Sequence, residues 1–503
     1  MTRHDEDAIP VIVGVGEVVD RHADPAAVRE PAALMAAALG EAEADAGARL
    51  LADLDSLDII NEISWPYVDP IKAVAERAGL SPRRAVYLPI GGQTPISAIH
   101  EAALRIARGD TAIAAVCGAE SQHAVARAAK ANVTLPWSAR DLNHMPKRAA
   151  SAQQPVARAL EVATPTHVYP FYENAAQHAW GQTPAEGLAD SAATWARYSA
   201  VAATREAAWL RRACLADEIA TVSADNRPIA WPYVKLMVAN PLVNQGAAVL
   251  LTSLGRARRA GISPQQMIRV LGGAAARETD DYLQRDVFHS VCAMRAVLNA
   301  VGALLPAGRD RFDRHELYSC FPCVPKMARR VLGLDDGEAL TVTGGLTFFG
   351  APLNDYMTHA VVAMVATLRA RRGEFGLLYG QGGYATKHHA IAVTGADDIA
   401  PRLDDGYDVQ AAAEALRRPI PQVAQDHVGP ATLETFTVLF DRDGRPRHGV
   451  VIARPDPARR LMARVSADDR EGIARLMSLS ANPIGASGRT AAGADGILNW
   501  SFT

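Results

Sequence analysis

Short apolar, β-branched runs alternate with stretches of helical spacing along the first quarter of the chain. Residues 11–15, 57–60, 85–90 and 111–117 read as buried strands, with helices at 32–46 and at 71–78, the latter stopped by Gly79. Strands separated by segments of helix length predict crossover connections and a mostly parallel sheet with helices on its faces. The same grammar returns later. Strands are expected at 268–271, 316–321, 340–343, 375–379 and 390–393, and helices at 292–305, 324–332 and 356–370.

Two of these stretches match one another. Tyr87-Leu-Pro-Ile leads through Gly91-Gly92 into a helix reaching Ala107, then Arg108-Gly109-Asp110 and a strand ending Cys117-Gly118. Leu340-Thr-Val-Thr leads through Gly344-Gly345 into a helix reaching Ala370, then Arg372-Gly373-Glu374 and a strand ending Tyr379-Gly380. The shared order predicts a twofold repeat of one α/β unit. Between the halves, residues 122–240 carry irregular proline–aromatic pairs such as Pro136-Trp137 and Trp231-Pro232, and read as a loop-and-helix excursion of the kind that walls a ligand site. Beyond residue 400, strands at 433–440, 450–453 and 461–465 with a hairpin turn at Asp441-Arg-Asp-Gly444 predict a small β-rich appended domain. The expected division is 1–121 with 241–256 (first half), 122–240 (loop domain), 257–397 (second half) and 410–503 (C-terminal domain).

Composition narrows the function. The chain has 503 residues, 49% hydrophobic and 21% charged, with a net charge of -3, and no basic run suggests a nucleic-acid surface. No apolar stretch is long enough to span a bilayer and none near the start resembles a signal peptide, so no membrane association is expected. Five scattered cysteines argue against a disulfide scaffold and for a reducing, cytoplasmic setting. Cys320-Phe-Pro-Cys323 has no second Cys or His pair at ligand spacing, so no metal is expected. The glycine-rich turns lack the G-x-G-x-x-G spacing of a dinucleotide site.

Several strings carry a resemblance in their order and spacing: Cys117-Gly-Ala-Glu-Ser121, Tyr169-Pro-Phe-Tyr-Glu-Asn-Ala175, Pro232-Tyr-Val-Lys235, Leu317-Tyr-Ser-Cys-Phe321, Thr343-Gly-Gly-Leu-Thr-Phe-Phe-Gly350 and Gly382-Gly-Tyr-Ala-Thr-Lys-His388. Over residues 8–395 the chain resembles the thiolase superfamily, and most of all the sterol-carrier-protein-type thiolase-like proteins labelled acetyl-CoA acetyltransferase. The tail is similar to the extra C-terminal domain of those proteins. The resemblance implies an α/β fold of two duplicated halves in αβαβα layers and a CoA thioester as ligand or substrate, with no other cofactor. It also implies a place among acyltransferases of lipid metabolism.

Thiolases have four catalytic loops, and the resemblance places each one on this chain. The nucleophilic cysteine falls at Gly92, ahead of Thr94-Pro95, which reads as an N-cap with proline at the first helical position. The polar residue that positions a water falls at Tyr318, the Gly-His-Pro histidine at Ala351, and the acid/base cysteine of Cys-x-Gly at Leu378. These replacements remove the nucleophile and base of a unit whose members fail together, so classical thiolysis or Claisen condensation is not expected.

The chemically capable candidates are Tyr318, Cys320 and His359. Gln93, Asn354, Gly382, Tyr384, Lys387 and His388 are ligand-binding candidates, and Arg140, Lys147 and Arg148 are placed to meet CoA phosphates. If strand alternation holds, His388 and His389 face opposite ways. Three functions fit: an acyl-CoA-recognising protein without thiolytic turnover, an aldolase-type carbon–carbon lyase using Tyr318 and His359 as acid/base groups, and a scaffold recruiting a protein partner through the C-terminal domain.

Overall fold

The computed structural model describes residues 6–144 and 149–503. Lys147 and Arg148 lie outside the described residues. Nine strands form the central sheet: β1 (Pro10–Val19), β2 (Ser56–Ile59), β3 (Arg84–Tyr87), β4 (Ile113–Glu120), β7 (Gln245–Ser253), β8 (Ile268–Arg277), β9 (Arg314–Leu317), β10 (Phe375–Gly382) and β11 (Lys387–Thr394). Their order is β3-β2-β4-β7-β1-β8-β11-β10-β9. Outward from the β1–β8 junction, β7, β4 and β2 on one side answer β11, β10 and β9 on the other. This is the symmetry of a duplicated unit.

The expectation of a mostly parallel sheet is corrected. Only the β2–β3, β2–β4 and β9–β10 pairs are parallel; the centre of the sheet is antiparallel. Each half begins with helical crossovers but closes by doubling back, through the turn after Gly382 in one half and through the loop domain in the other, so its last strand runs the opposite way. The expected strand at 340–343 is an extended segment outside the sheet. Its Val342 and Thr343 amides donate to the buried Glu316 carboxylate at 2.8 and 3.1 Å. The helix expected to run unbroken from Gly345 is interrupted; Gly345–Phe348 and Tyr356–Ala370 flank a strained turn with Gly350 at φ 120° and Leu353 at φ 44°.

Close helix-to-sheet packing explains the glycine and alanine content. The helix Pro31–Ala46 lies so tightly on β1 that a Cβ at Gly14 would sit 2.1 Å from the Ala42 carbonyl oxygen. The helix Thr94–Ala107 is sandwiched in the core, with Ile96, Ile99, Ala102 and Ala103 buried. Apolar burial on both faces of the sheet is the main stabilising term for such a layered fold.

The remaining strands are β5 (Pro228–Ala230) and β6 (Tyr233–Val234) of the loop domain, and β12 (Gln422–Val423), β13 (Gly429–Phe440), β14 (Pro446–Asp456), β15 (Arg459–Ser466), β16 (Ser487–Ala492) and β17 (Leu498–Phe502). β13, β14, β15, β17 and β16 pair in a closed ring, with the helix Arg470–Leu476 between the third and fourth strands of the chain order. This five-stranded barrel with one helix has the OB arrangement.

The barrel is built into the rest of the molecule. β13 pairs with β5 at Leu439 and Ala230. Asn174 Nδ2 donates to the Phe436 carbonyl at 2.8 Å, and Thr435 Oγ1 to that of Phe171 at 2.6 Å. The buried Arg460 guanidinium binds Glu434 on its own sheet at 2.7 Å and the Leu283 carbonyl across the boundary at 2.7 Å.

Candidate ligand site

The two halves meet at a cavity of about 650 Å³, roofed by the loop domain. Its walls are mostly apolar: Ile63, Ile90, Pro165, Pro241, Phe321, Leu346 and Leu353 contribute. On the first-half side the Gly91-Gly92 turn enters the helix Thr94–Ala107. Thr94 is not the N-cap that the sequence suggested. The helix starts at Thr94 itself, Gln93 occupies the cap position without a capping bond, and Thr94 Oγ1 donates to the Pro89 carbonyl at 3.1 Å. Asn354 ties the walls together, accepting from the Gly91 amide at 3.0 Å and donating to the Asn61 carbonyl at 2.8 Å.

The Gly92 position explains itself sterically. A Cβ there would lie 2.3 Å from Tyr318 Oη and 2.4 Å from the Gln381 carbonyl oxygen. The phenol of the second half therefore fills the space where a side chain on the first half would stand. Tyr318 Oη has no protein hydrogen-bond partner among the described residues. Burial pushes this phenol above its ordinary range, so it is a neutral donor at physiological pH.

Cys320 lies beside it. Its sulfur accepts from Gln381 Nε2 at 3.1 Å, and the same amide donates to Tyr169 Oη at 2.8 Å. Burial pushes the Cys320 thiol up to about 12, so it carries almost no thiolate at neutral pH. Tyr169, stacked on Phe321 at 4.4 Å, completes the floor. Gln381 and Tyr169 were not singled out as site residues from the sequence. Tyr169 sits inside a quoted string, as a tyrosine before proline, and Gln381 immediately precedes another, as a lone polar side chain among glycines.

The candidates separate cleanly. Gly92, Tyr318, Cys320, Ala351, Asn354, Gly382, Tyr384 and Lys387 line the cavity. Gln93, His359, Leu378 and His388 do not. Leu378 is fully buried at the Ile391 register, and the β10 position facing the Gly92 turn is Gly380, where a Cβ would approach Gln93 Cα to 2.9 Å. Gln93 instead lines a separate groove of about 250 Å³ with Asp58 and Arg84. His388 Nε2 donates to the Ala385 carbonyl at 3.0 Å, and its Nδ1 accepts from Tyr379 Oη at 2.7 Å. Burial drives it down to about 3, so it is a neutral core histidine. His359 lies behind the wall, its Nδ1 2.7 Å from Glu17 Oε1.

The polar rim differs from expectation too. Lys387 Nζ donates to the Ile90 carbonyl at 3.0 Å, and burial together with Arg277 lowers its proton affinity. Arg277, Asp280 and Ser151 also line the cavity. Arg140 lies over the Trp65 ring at 4.6 Å, a cation–π contact that accounts for it structurally. Tyr384 Oη donates to the Ala163 carbonyl at 2.6 Å. Among the described residues no group of His, Cys, Asp and Glu is placed to hold a metal ion, and no helix is long and apolar enough to cross a membrane.

Two sets of comparisons fit this architecture. A family model, the thiolase-like protein type 1 additional C-terminal domain, matches residues 408–494. A monomeric SCP2-thiolase like protein type 1 from Mycobacterium smegmatis is 26% identical over 99% of each chain, with a TM-score of 0.81. An Ltp2–ChsH2(DUF35) aldolase is 17% identical and covers 78% of this chain and 98% of its own, with a TM-score of 0.59, which speaks to the fold alone. No curated protein matches by sequence. The duplicated halves, loop domain and cavity at the junction define the thiolase fold. The chain resembles a thiolase-like protein type 1 of the SCP2 kind over its whole length, and its residues 408–494 match the additional C-terminal domain of the type 1 proteins.

Proposed function

We propose that the protein recognises an acyl-CoA in the junction cavity without forming an acyl-cysteine. One observation carries the reading: the Tyr318 phenol stands over Gly92, in the space a nucleophile would need. A mostly apolar cavity of about 650 Å³ suits an acyl-pantetheine arm, since pockets of this size bury most of a small ligand. At its floor Tyr318 Oη is a neutral donor for the thioester carbonyl. Cys320, protonated and bonded to Gln381, supplies polarity rather than a nucleophile. Among the described residues no imidazole lines the cavity to activate either group. A cytoplasmic place in acyl-CoA and lipid metabolism follows from this reading, as does kinship with acyltransferases without their turnover.

Calorimetry with acetyl-CoA and longer acyl-CoAs tests it. Saturable binding is expected, and Tyr318→Phe should weaken it by about fivefold, the effect of one neutral hydrogen bond. No free CoA thiol should accumulate. Absence of binding below about millimolar would remove the proposal, because such weakness leaves only about 4 kcal/mol of recognition.

The lone phenol also favours a second reading, carbon–carbon cleavage of a CoA ester. The aldolase of related fold gives that reading a chemistry, and its DUF35 partner suggests a protein partner here as well, meeting the outer face of the barrel. With its proton held tightly, Tyr318 would act as the acid that protonates the departing enolate, and the base would come from elsewhere. Release of an aldehyde or ketone from a β-hydroxyacyl-CoA, lost in Tyr318→Phe, is the result that would select this reading.

A further inference from the structure

Behind the cavity wall a histidine lies between two carboxylates, and none of the three reaches the ligand space. His359 Nδ1 is 2.7 Å from Glu17 Oε1 on β1, and its Nε2 is 3.6 Å from Asp355 Oδ2. His359 is fully buried and Asp355 is 1% exposed. Neither Asp355 oxygen, nor His359 Nε2, nor Thr358 Oγ1 makes a hydrogen bond. Thr358 and the Ala247 amide lie near enough to favour the carboxylate form but not in bonding geometry. On its far side Asp355 abuts Gly118, where a Cβ would come within 2.1 Å of Oδ1. Glu17 is tied outward to Arg205 at 3.3 Å.

Asp355 is the last residue of the turn that lines the cavity. Leu353, in the left-handed region at φ 44°, and Asn354, which clamps Gly91 and Asn61, immediately precede it. An L-residue held at positive φ persists only where its surroundings over-determine it. The anchor behind the turn is therefore part of what fixes the wall.

We infer that Glu17, His359 and Asp355 share one proton, and that Asp355 is thereby a positioning residue whose proton holds Leu353 and Asn354 in the ligand-binding arrangement. The regulation assigned here rests on the acyl-CoA reading; the proton assignment does not. An ionised Asp355 would face Glu17 from β1 and Glu120 from β4. Its other titratable neighbours are His359 and the Cys117 thiol of β4, and Arg205 reaches it only through Glu17. Burial and those two carboxylates raise the proton affinity of Asp355, which supports the geometry. With the proton in place, its O–H points at His359 Nε2. With it lost, Asp355 carries a charge facing Glu17 and Glu120, and the turn has reason to move away from Gly118.

The test measures acetyl-CoA affinity by calorimetry between about pH 6 and 8.5, on wild type, Asp355→Asn and His359→Gln, alongside the protonated-carboxyl infrared band of the ligand-free protein. Affinity of wild type should fall as pH rises, by up to about tenfold per unit once Asp355 has ionised, while Asp355→Asn stays flat within about twofold. The wild-type spectrum at the acid end should exceed that of Asp355→Asn by one protonated-carboxyl band, the band of Glu62 remaining in both. An unchanged pH profile in Asp355→Asn would overturn the positioning role, as would a wild-type profile already flat. If Asp355→Asn does not fold, His359→Gln supplies the same comparison, its wild-type-like profile overturning the role. If acetyl-CoA binds at no pH, the acyl-CoA reading fails, and the infrared difference between wild type and Asp355→Asn alone decides the shared proton: with no carboxyl band in that difference, the proton assignment is wrong.

Discussion

Both halves of the core pin a loop with a buried carboxylate, but they do so in different company. In the first half Glu120, at the end of β4, accepts from the Ile63 and Ser64 amides at 2.8 Å each, which places Ile63 in the wall. In the second half Glu316, on β9, accepts from the Val342 and Thr343 amides and from Thr341 Oγ1, and Tyr356 Oη donates to it at 2.6 Å. Glu316 is ringed by neutral donors. Glu120 has a second carboxylate beside it: burial, and then the charge of Glu120, push Glu62 up to about 8. Burial raises the proton affinity of Glu316 against the pull of those donors, whereas Glu62 is pushed further by a neighbouring carboxylate.

The largest expected effect tests the second-half clamp. Glu316→Ala should cost about 3–5 kcal/mol in denaturant unfolding, because it strands several buried donors at once. Glu120→Ala, with two amides released into a partly accessible loop, should cost about 2–3 kcal/mol on the same measurement. A reversal of that order would mean the two clamps are not equivalent devices.

The next effect has a sign as well as a size. Glu62 takes up its proton near pH 4.5 when unfolded and near 8 when folded, so the folded state binds more protons in between. Stability is therefore greatest at the acid end of that window and is lost as pH rises to about 8. Glu62→Gln should flatten thermal stability across the window and gain about 2 kcal/mol over wild type at its alkaline end. The smallest effect concerns Cys320, which should resist alkylation by iodoacetamide at neutral pH in the folded protein, by mass spectrometry.

Much of this was legible in the chain, and the misreadings have local physical causes. The Gly-Gly and Arg-Gly-acid repeat disclosed the duplication, although of the two Gly-Gly pairs only Gly344 and Gly345 take a left-handed backbone. The hairpin at Asp441–Gly444 announced the β13–β14 pair, and the Asp441 amide indeed donates to the Arg445 carbonyl at 3.0 Å. Strand direction was not legible, since periodicity reports burial and says nothing about which way a neighbour runs. Leu378 was chosen by a residue-x-glycine register that Gly380-Gln-Gly382 satisfies equally, and only the packing of β10 against Gly92 separates them. The 340–343 segment has a strand's composition, but the Glu316 carboxylate competes for its amides. The merging of the barrel with β5 joins residues about two hundred positions apart, which no local pattern records.

The account turns on what a bound thioester meets above Gly92. A crystal structure with acetyl-CoA tests that most directly. The thioester carbonyl oxygen is predicted within hydrogen-bonding distance of Tyr318 Oη, with Cys320 unmodified and still bonded to Gln381. An acetyl group on Cys320, or a ligand whose thioester lies away from Tyr318, would contradict it.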